Sequence, residues 1–161
     1  MKAHLKGFWT GINFGLTSGV ITTLGLMVGL HSGTHSTIAV IGGILTIAVA
    51  DAMSDAFGVH VSKEAEHDTS DHEVWAATIT TFVAKFTMAM TFVVPVLLFE
   101  LLAAILISLA WGLLVITLLS LRLARTKNLR PGPIILEHIG ITLAVVAAAH
   151  FVGVAVARVF G

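Results

Sequence analysis

The sequence contains no cysteine and few charged residues. Without cysteine, the chain has no disulfides, no thiolate zinc sites and no redox-active thiols. Only 11% of the 161 residues are charged, whereas a soluble domain carries about 25%. Since 57% of the residues are apolar, one small soluble core cannot hide them, and this excludes a soluble enzyme. The formal net charge is zero, so no excess of basic residues favours nucleic acid as a partner.

Long apolar runs indicate an all-α integral membrane protein with five transmembrane helices. A transmembrane helix needs about 20 mostly apolar residues. Five segments meet this requirement, and we predict the spans at 8–30, 37–60, 76–98, 101–121 and 134–156. The first segment is much longer than the apolar region of a signal peptide, so we expect it to be retained as a span. Residues 1–161 are therefore predicted to form a single domain in the lipid bilayer.

The distribution of lysine and arginine predicts the orientation, because cytoplasmic loops carry an excess of both. With the N-terminus inside and the C-terminus outside, seven basic residues fall in the inner segments: Lys2, Lys6, Lys63, Arg122, Arg125, Lys127 and Arg130. Arg158 lies outside, and Lys85 lies within the third span. Segment 61–73 is then cytoplasmic. The short loops favour a prokaryotic plasma membrane.

Seven of the nine acidic residues fall between Asp51 and Glu73. Asp51 and Asp55 lie inside the second span, where carboxylates are costly and are functional-site candidates by default. The other five are interleaved with histidines, and carboxylate with imidazole suits divalent transition metals. Spacings of three or four residues place several of these side chains on one helix face. The predicted metal ligands are Asp51, Asp55, His60, Glu64, His67, Asp71 and His72.

Each of these groups also has a purely structural interpretation. The acidic and histidine-rich segment is also typical of a solvated turn at the membrane edge. Ser70 and Glu73 fit a capping box, which would make Glu73 part of a helix cap instead of a ligand. Lys85 on the next span either forms a buried ion pair with Asp51 or Asp55, or tunes them and competes with a passing cation. Protons compete for the same two carboxylates, which provides a route to proton-coupled exchange.

Further residues bear on the ion path and on assembly. Ser18 and Met53 are candidates for lining the path, with interhelix hydrogen bonding and apolar packing as the alternatives. Gly11, Gly15 and Gly19 follow at four-residue spacing, and small residues at this spacing let helix backbones approach closely in lipid. This face packs either within the chain or against its own copy. Five helices are few to enclose a polar path, which favours a homodimer through the first helix.

Several stretches resemble the vacuolar iron transporter family. They are GLTSGVITTLGL at residues 15–26, ADAMSDAFG at residues 50–58 followed by Ser62, and FVVP at residues 92–95. The run from Arg122 to Gly153, with its basic loop and the sequence HFVG at its end, is similar to the last two helices of that family. Together these stretches cover nearly the whole chain.

The resemblance implies a five-helix protomer with a cytosolic N-terminus, and a dimer in which the first helices line a shared path. It also implies export of ferrous iron or manganese from the cytosol in exchange for protons. Ser18 stands where the family has a pore aspartate, Asp55 where it has a pore methionine, and Lys85 where an apolar residue is usual. The helical cytoplasmic metal-binding domain of the family is reduced here to about residues 63–71, so the chain would be a short, divergent member.

These inferences predict a homodimeric transporter of a divalent first-row cation, iron(II) or manganese(II) first and zinc(II) next, with no permanently bound cofactor. One alternative is a proton-coupled carrier of a small solute, with Asp55 and Lys85 as the titrating pair. Another is a membrane module that binds metal or a protein partner without transport. No nucleophile and base stand out as a pair, so an enzyme is not expected.

Overall fold

The computed structural model describes residues 2–161, with side chains from Leu5 onward. Over this range the chain is all-α, with six helices and no strand: α1 Lys2–Thr34, α2 Thr37–Glu64, α3 Asp71–Thr91, α4 Val93–Leu98, α5 Leu101–Thr126 and α6 Pro131–Phe160. Five stretches are long and apolar enough to cross a membrane, with α3 and α4 together forming one of them. The prediction of five membrane-spanning helical stretches is therefore confirmed at the level of helix length and composition.

Side-chain caps set the start of two helices. Ser36 is the N-cap of α2 and accepts a hydrogen bond from the Ala39 N–H. Ser70 is the N-cap of α3 and accepts from the Glu73 N–H at 3.4 Å, as predicted from the capping-box pattern. The Glu73 carboxylate is buried and lies 3.4 Å from Lys6 Nζ. Glu73 thus ties the start of α3 to the start of α1.

The third predicted span is interrupted near its end. Proline has no N–H, so Pro95 leaves the Thr91 carbonyl without its helical partner. Helix α3 ends at Thr91, where the Thr91 hydroxyl donates to Met88 O at 2.6 Å and the Phe92 N–H bonds to Ala89 O at 3.1 Å. Phe92 keeps a helical backbone conformation, so α4 follows directly and the two helices still count as one apolar stretch.

Helix α1 is the centre of the bundle and contacts α2, α3, α5 and α6. Its N-terminal half presents a row of glycines to α3. A Cβ atom added at Gly15 would lie 2.6 Å from Thr81 O, so only glycine permits this approach. Further along, Gly29 faces Ala149 on α6. The glycine face therefore packs within the chain, and a dimer through the first helix would have to use its remaining surface.

The two ends of the bundle differ in how many charged residues they carry. One end combines the starts of α1, α3 and α6 with the ends of α2 and α5, and we call it the basic end after its lysines and arginines. Residues 64–73 and Glu137 place six carboxylates at the same end. There Lys6 pairs with Glu73, and the Arg122 guanidinium lies 3.5 Å above the Trp9 ring. Large apolar side chains on the outer surfaces of α5 and α6 are exposed, as expected for helices that face lipid: Leu102, Leu118, Leu136, Phe151 and Val152.

Candidate functional site

Lys85 lies at the middle of the bundle and is the largest fully buried side chain among the described residues, at 1% exposure. Its Nζ atom is 2.6 Å from Asp51 Oδ2 and donates a hydrogen bond to Asp55 Oδ2. It also donates to Ser18 Oγ at 2.9 Å. These four residues, on three helices, form what we call the aspartate–lysine cluster. Lys85 therefore pairs with both aspartates.

The two aspartates differ in how they are held. Asp55 Oδ2 accepts hydrogen bonds from Lys85 and from Ser18 Oγ, the latter at 2.6 Å. Asp51 Oδ2 is close to the Lys85 ammonium but receives no well-directed hydrogen bond. The Asp51 and Asp55 side chains remain 32% and 23% exposed. Asp51 is the more weakly constrained of the two carboxylates.

The spacing of small residues on α2 explains where the carboxylates point. Ala48, Ala52 and Ala56 recur every four residues and are buried, which lets α2 approach its neighbours closely. Asp51 and Asp55 each precede one of these alanines. One residue corresponds to about 100° around a helix, so both carboxylates lie at the edge of the buried face. The cluster sits near the midpoints of the spans Leu5–Thr34, Thr37–Glu64 and Asp71–Leu98.

The charges of the cluster do not balance if all its groups ionise. Two carboxylates then face one ammonium, which leaves one net negative charge near mid-membrane depth. Intramembrane charges are costly and mark ion or proton pathways. The arrangement is therefore suited to holding a cation or to exchanging a proton.

An open polar groove leads from Asp55 towards the basic end between α1 and α2. It has a volume of about 560 Å³, and we call it the α1–α2 groove. Its lining residues are Thr10, Phe14, Ser54, Asp55, Gly58, Val59, Ser62, Lys63 and Glu66. Asp55 is thus reached from the surface of α1 and α2 along an open groove in which hydroxyl and charged groups alternate with Phe14, Gly58 and Val59.

A second polar pocket, of about 280 Å³, lies at the start of α3. It brings together three of the predicted ligands, His60, Glu64 and Asp71, and Val74 and Trp75 complete its lining. We call it the mouth pocket. His60 lies near its Trp75 wall, with the two rings 4.8 Å apart edge to face.

Thr78 sets the tautomer of His60. The Thr78 hydroxyl donates its single proton to Val74 O at 2.8 Å and lies 3.0 Å from His60 Nδ1. When the Thr78 proton is used in this way, Nδ1 is the donor in the contact, and neutral His60 carries its lone pair on Nε2. A hydrogen bond of this kind orients an imidazole for metal binding. The role of Thr78 was missed by sequence reasoning, because no local pattern pairs residues 60 and 78.

The other predicted site residues lie apart from these two sites. His67 and His72 are exposed and do not line the mouth pocket. Met53 is 60% exposed and lines an apolar groove with Phe57, Ile79 and other residues, on a different face of α2 from Asp51 and Asp55. Within the described part of the chain, no three His, Asp or Glu side chains stand close enough to hold one metal ion. A site there needs side-chain rearrangement.

The connection between α2 and α3 is held by Lys63. Its ammonium donates to both carboxylate oxygens of Glu66, at 2.8 and 2.9 Å. These hydrogen bonds lower the pKa of the Glu66 carboxyl, and the Thr69 hydroxyl adds a smaller effect in the same direction. Glu66 is therefore engaged as a structural partner at the end of the α1–α2 groove.

Comparison with protein-family models, with curated proteins and with solved structures found no match. The fold and the cluster define the class on their own: a small all-α chain with five candidate membrane spans and a charged, partly accessible centre.

Proposed function

We propose that this protein is a homodimeric membrane transporter of a divalent first-row cation, iron(II) or manganese(II) first and zinc(II) next. In this proposal it exports the ion from the cytosol in exchange for protons, like the vacuolar iron transporter family that its sequence resembles. The observation that carries the proposal is the pair of partly exposed carboxylates, Asp51 and Asp55, held at mid-depth against a single buried lysine.

Charge balance couples the binding of the metal ion to the release of a proton. A divalent ion added to two carboxylates and an ammonium would leave one net positive charge in a medium that penalises it. The same ion added when Lys85 is a neutral amine gives a net charge of zero. Binding of the metal ion to Asp51 and Asp55 therefore releases the Lys85 proton, and reprotonation of Lys85 displaces the ion. Lys85 acts as the competitor of the transported cation.

The homodimer is supported by the position of the α1–α2 groove. Thr10, Ser54 and Asp55 line an open surface of the bundle, and polar groups facing hydrocarbon are costly. A second copy placed against α1 and α2 covers this groove and turns it into an enclosed path. Because the glycine face of α1 is occupied by α3 and α6, the dimer contact uses the Thr10 and Phe14 side of α1.

In the proposed orientation, the mouth pocket lies in the cytoplasm. The basic end carries Lys6, Lys63 and Arg122, and positive residues favour the cytoplasmic side. His60, Glu64 and Asp71 then collect the ion at the inner entrance, with His67 and His72 as further ligands on the adjoining exposed segment. Intrinsic affinity favours copper and zinc over iron and manganese, so ion choice in a cell follows availability and ligand geometry.

Manganese flux into proteoliposomes tests the proposal. Purified protein is reconstituted, and Mn²⁺ uptake is followed with a trapped fluorescent indicator, with and without a pH gradient. Uptake that rises with the gradient and is lost in Asp51→Asn with Asp55→Asn supports the proposal. Glu100→Gln is the matched control, because it removes an exposed carboxylate at the opposite end. Equal uptake by the double variant and the parent would overturn the proposed path.

A second candidate is favoured by the pairing of Lys85 with both aspartates. A proton-coupled solute carrier that uses Asp55 and Lys85 as its titrating pair requires this contact, and a non-transporting module is also stabilised by it. The solute carrier predicts no stabilisation by metal ions, and so does a module whose partner is a protein. A melting temperature that is unchanged by Mn²⁺, Fe²⁺ and Zn²⁺ would favour them over metal transport.

A further inference from the structure

A separate cavity lies between α1, α5 and α6 on the basic side of the bundle. Its volume is about 290 Å³, and its lining residues are Trp9, Asn13, Thr17, Ile116, Leu119, Arg122, Leu123, Thr126 and His138. None of the residues of the aspartate–lysine cluster, the α1–α2 groove or the mouth pocket contributes to it. We call it the arginine cavity.

The charge of this cavity is uncompensated. Arg122 stacks on Trp9, with its guanidinium carbon 3.5 Å from the ring centroid. No aspartate or glutamate lines the cavity. Among the described side chains, the ion pairs involve Lys6, Lys63 and Lys85 and not Arg122. A guanidinium held by an aromatic ring, without a carboxylate, is a ready binding group for an anion, and its planar fork matches phosphate oxygens.

His138 offers a second polar group from α6. Ser120 Oγ donates its proton to Ile116 O at 2.6 Å and lies 2.8 Å from His138 Nδ1. When the Ser120 proton is used in this way, Nδ1 is the donor in the contact and neutral His138 carries a lone pair on Nε2. Arg122 and Asn13 are therefore the groups that can donate to a bound anion. The Asn13 amide adds donors from α1. Three helices thus contribute polar groups to one cavity.

The α5 wall of the cavity changes from polar to apolar with depth, while Asn13 and Thr17 line the cavity from α1. Arg122 and Thr126 lie near the end of α5, whereas Ile116 and Leu119 lie deeper along the same helix. From Ile116 to Thr126 the helix rises about 15 Å, comparable with a phospholipid headgroup, its glycerol and the first part of an acyl chain. A soluble anion would not bind to the apolar portion of this wall.

We propose that the arginine cavity binds the phosphate of an anionic phospholipid, with Arg122 as the main contact and the apolar wall along an acyl chain. Basic pockets between membrane helices recognise lipid headgroups in this way. Arg125, Lys127 and Arg130 add positive charge to the end of α5 and the connection to α6, the two helices that border the cavity with α1. The proposal does not depend on metal transport.

Lipid retention measured by native mass spectrometry tests this proposal. The purified full-length protein is equilibrated with equal amounts of phosphatidylglycerol and phosphatidylcholine of matched acyl chains. The wild type should retain several-fold more phosphatidylglycerol. Arg122→Gln should lower this retention about fivefold, the equivalent of about 1 kcal/mol for one basic group at the surface. Arg125→Gln is the matched control, because it removes the same charge from the same helix outside the cavity.

Three results would overturn the proposal. The first is equal retention of the two lipids by the wild type. The second is an equal loss in Arg122→Gln and Arg125→Gln, which would indicate diffuse surface charge. The third is a rise in melting temperature with inorganic phosphate as large as that with phosphatidylglycerol, which would assign the cavity to a free anion. If Arg122→Gln does not fold, Leu119→Trp replaces it, because this change fills the cavity and keeps every charge. An unchanged lipid preference in Leu119→Trp would also overturn the proposal.

Discussion

Ser18 on α1 and Asp55 on α2 are joined by a hydrogen bond of 2.6 Å in which the serine hydroxyl donates to Asp55 Oδ2. The same hydroxyl accepts from Lys85 Nζ on α3 at 2.9 Å. One small polar side chain therefore completes a chain of contacts across three helices. Ser18 thus supports the charges of Asp55 and Lys85 without carrying a charge of its own.

Replacing Ser18 with alanine should destabilise the protein by about 1–2 kcal/mol, because Asp55 and Lys85 each lose a hydrogen-bond partner in the interior. Thermal unfolding in detergent measures the change. Thr22→Val is the control, since the Thr22 hydroxyl bonds only to Ser18 O of its own helix. A melting temperature for Ser18→Ala that equals that of Thr22→Val would show that the contact contributes nothing.

The effects of replacing the two aspartates on the free energy of unfolding should be strongly non-additive. Asp51→Asn or Asp55→Asn alone leaves one carboxylate against Lys85, which is a balanced pair. The double variant strands the buried ammonium, and removal of all the partners of a buried charge costs about 3–5 kcal/mol. The double variant should therefore lose at least about 1 kcal/mol more than the sum of the single losses.

Chemical unfolding of the four proteins, with Lys85→Met added to the double variant, measures this coupling. Lys85→Met should restore stability in the background that lacks both carboxylates, because no charge then remains in the cluster. If the losses of stability are additive, or if Lys85→Met does not restore stability to the double variant, the buried Lys85 ammonium is not stabilised by these aspartates.

Replacing Gly11 with alanine should force α1 away from α3. The added Cβ would lie 2.8 Å from the Thr81 backbone N and would also overlap the Ala77 carbonyl. Overpacking of this kind costs about 1–3 kcal/mol. Gly42→Ala is the control, because nothing lies within 4 Å of its added Cβ. A changed oligomeric size with unchanged thermal stability would instead place Gly11 at a contact between chains.

Replacing Thr78 with valine should weaken metal binding at the mouth pocket about 10- to 100-fold, the usual effect of losing a group that orients a ligating histidine. The isosteric change removes the partner of His60 Nδ1. Zinc titration of the purified protein reports the affinity. Thr46→Val serves as the comparison, since the Thr46 hydroxyl bonds only to Gly42 O within α2. Equal affinities of the two variants would show that Thr78 does not orient His60 for metal binding.

Much of the fold follows from simple patterns in the sequence. The apolar runs predict the spans, and Ser70 with Glu73 predicts the start of α3, because a cap depends on residues three apart. The break after Thr91 was missed, although Pro95 is a local signal for it. Helix α2 continues to Glu64, past the predicted span end at residue 60, because charged residues can continue a helix beyond the hydrocarbon.

The candidate site is only partly readable from the sequence. Carboxylates inside a membrane span are costly, so Asp51 and Asp55 can be identified as site candidates from the sequence. Lys85 is identified as their partner because its charge in a span is costly too. Its contact with both aspartates depends on the depth and rotation of α3 against α2, which are set by packing of glycines and alanines far apart in sequence. The pairing of His60 with Thr78 has the same origin.

Equilibrium titration with Mn²⁺ tests most directly whether the paired aspartates still hold a cation. A His60→Ala, Glu64→Gln background isolates the mid-membrane cluster from the mouth pocket. In that background, we predict saturable binding with release of about one proton per ion. The further changes Asp51→Asn, Asp55→Asn and Lys85→Met, which leave the cluster without charge, should abolish both signals. Absence of binding before those changes, or equal binding after them, would contradict the account.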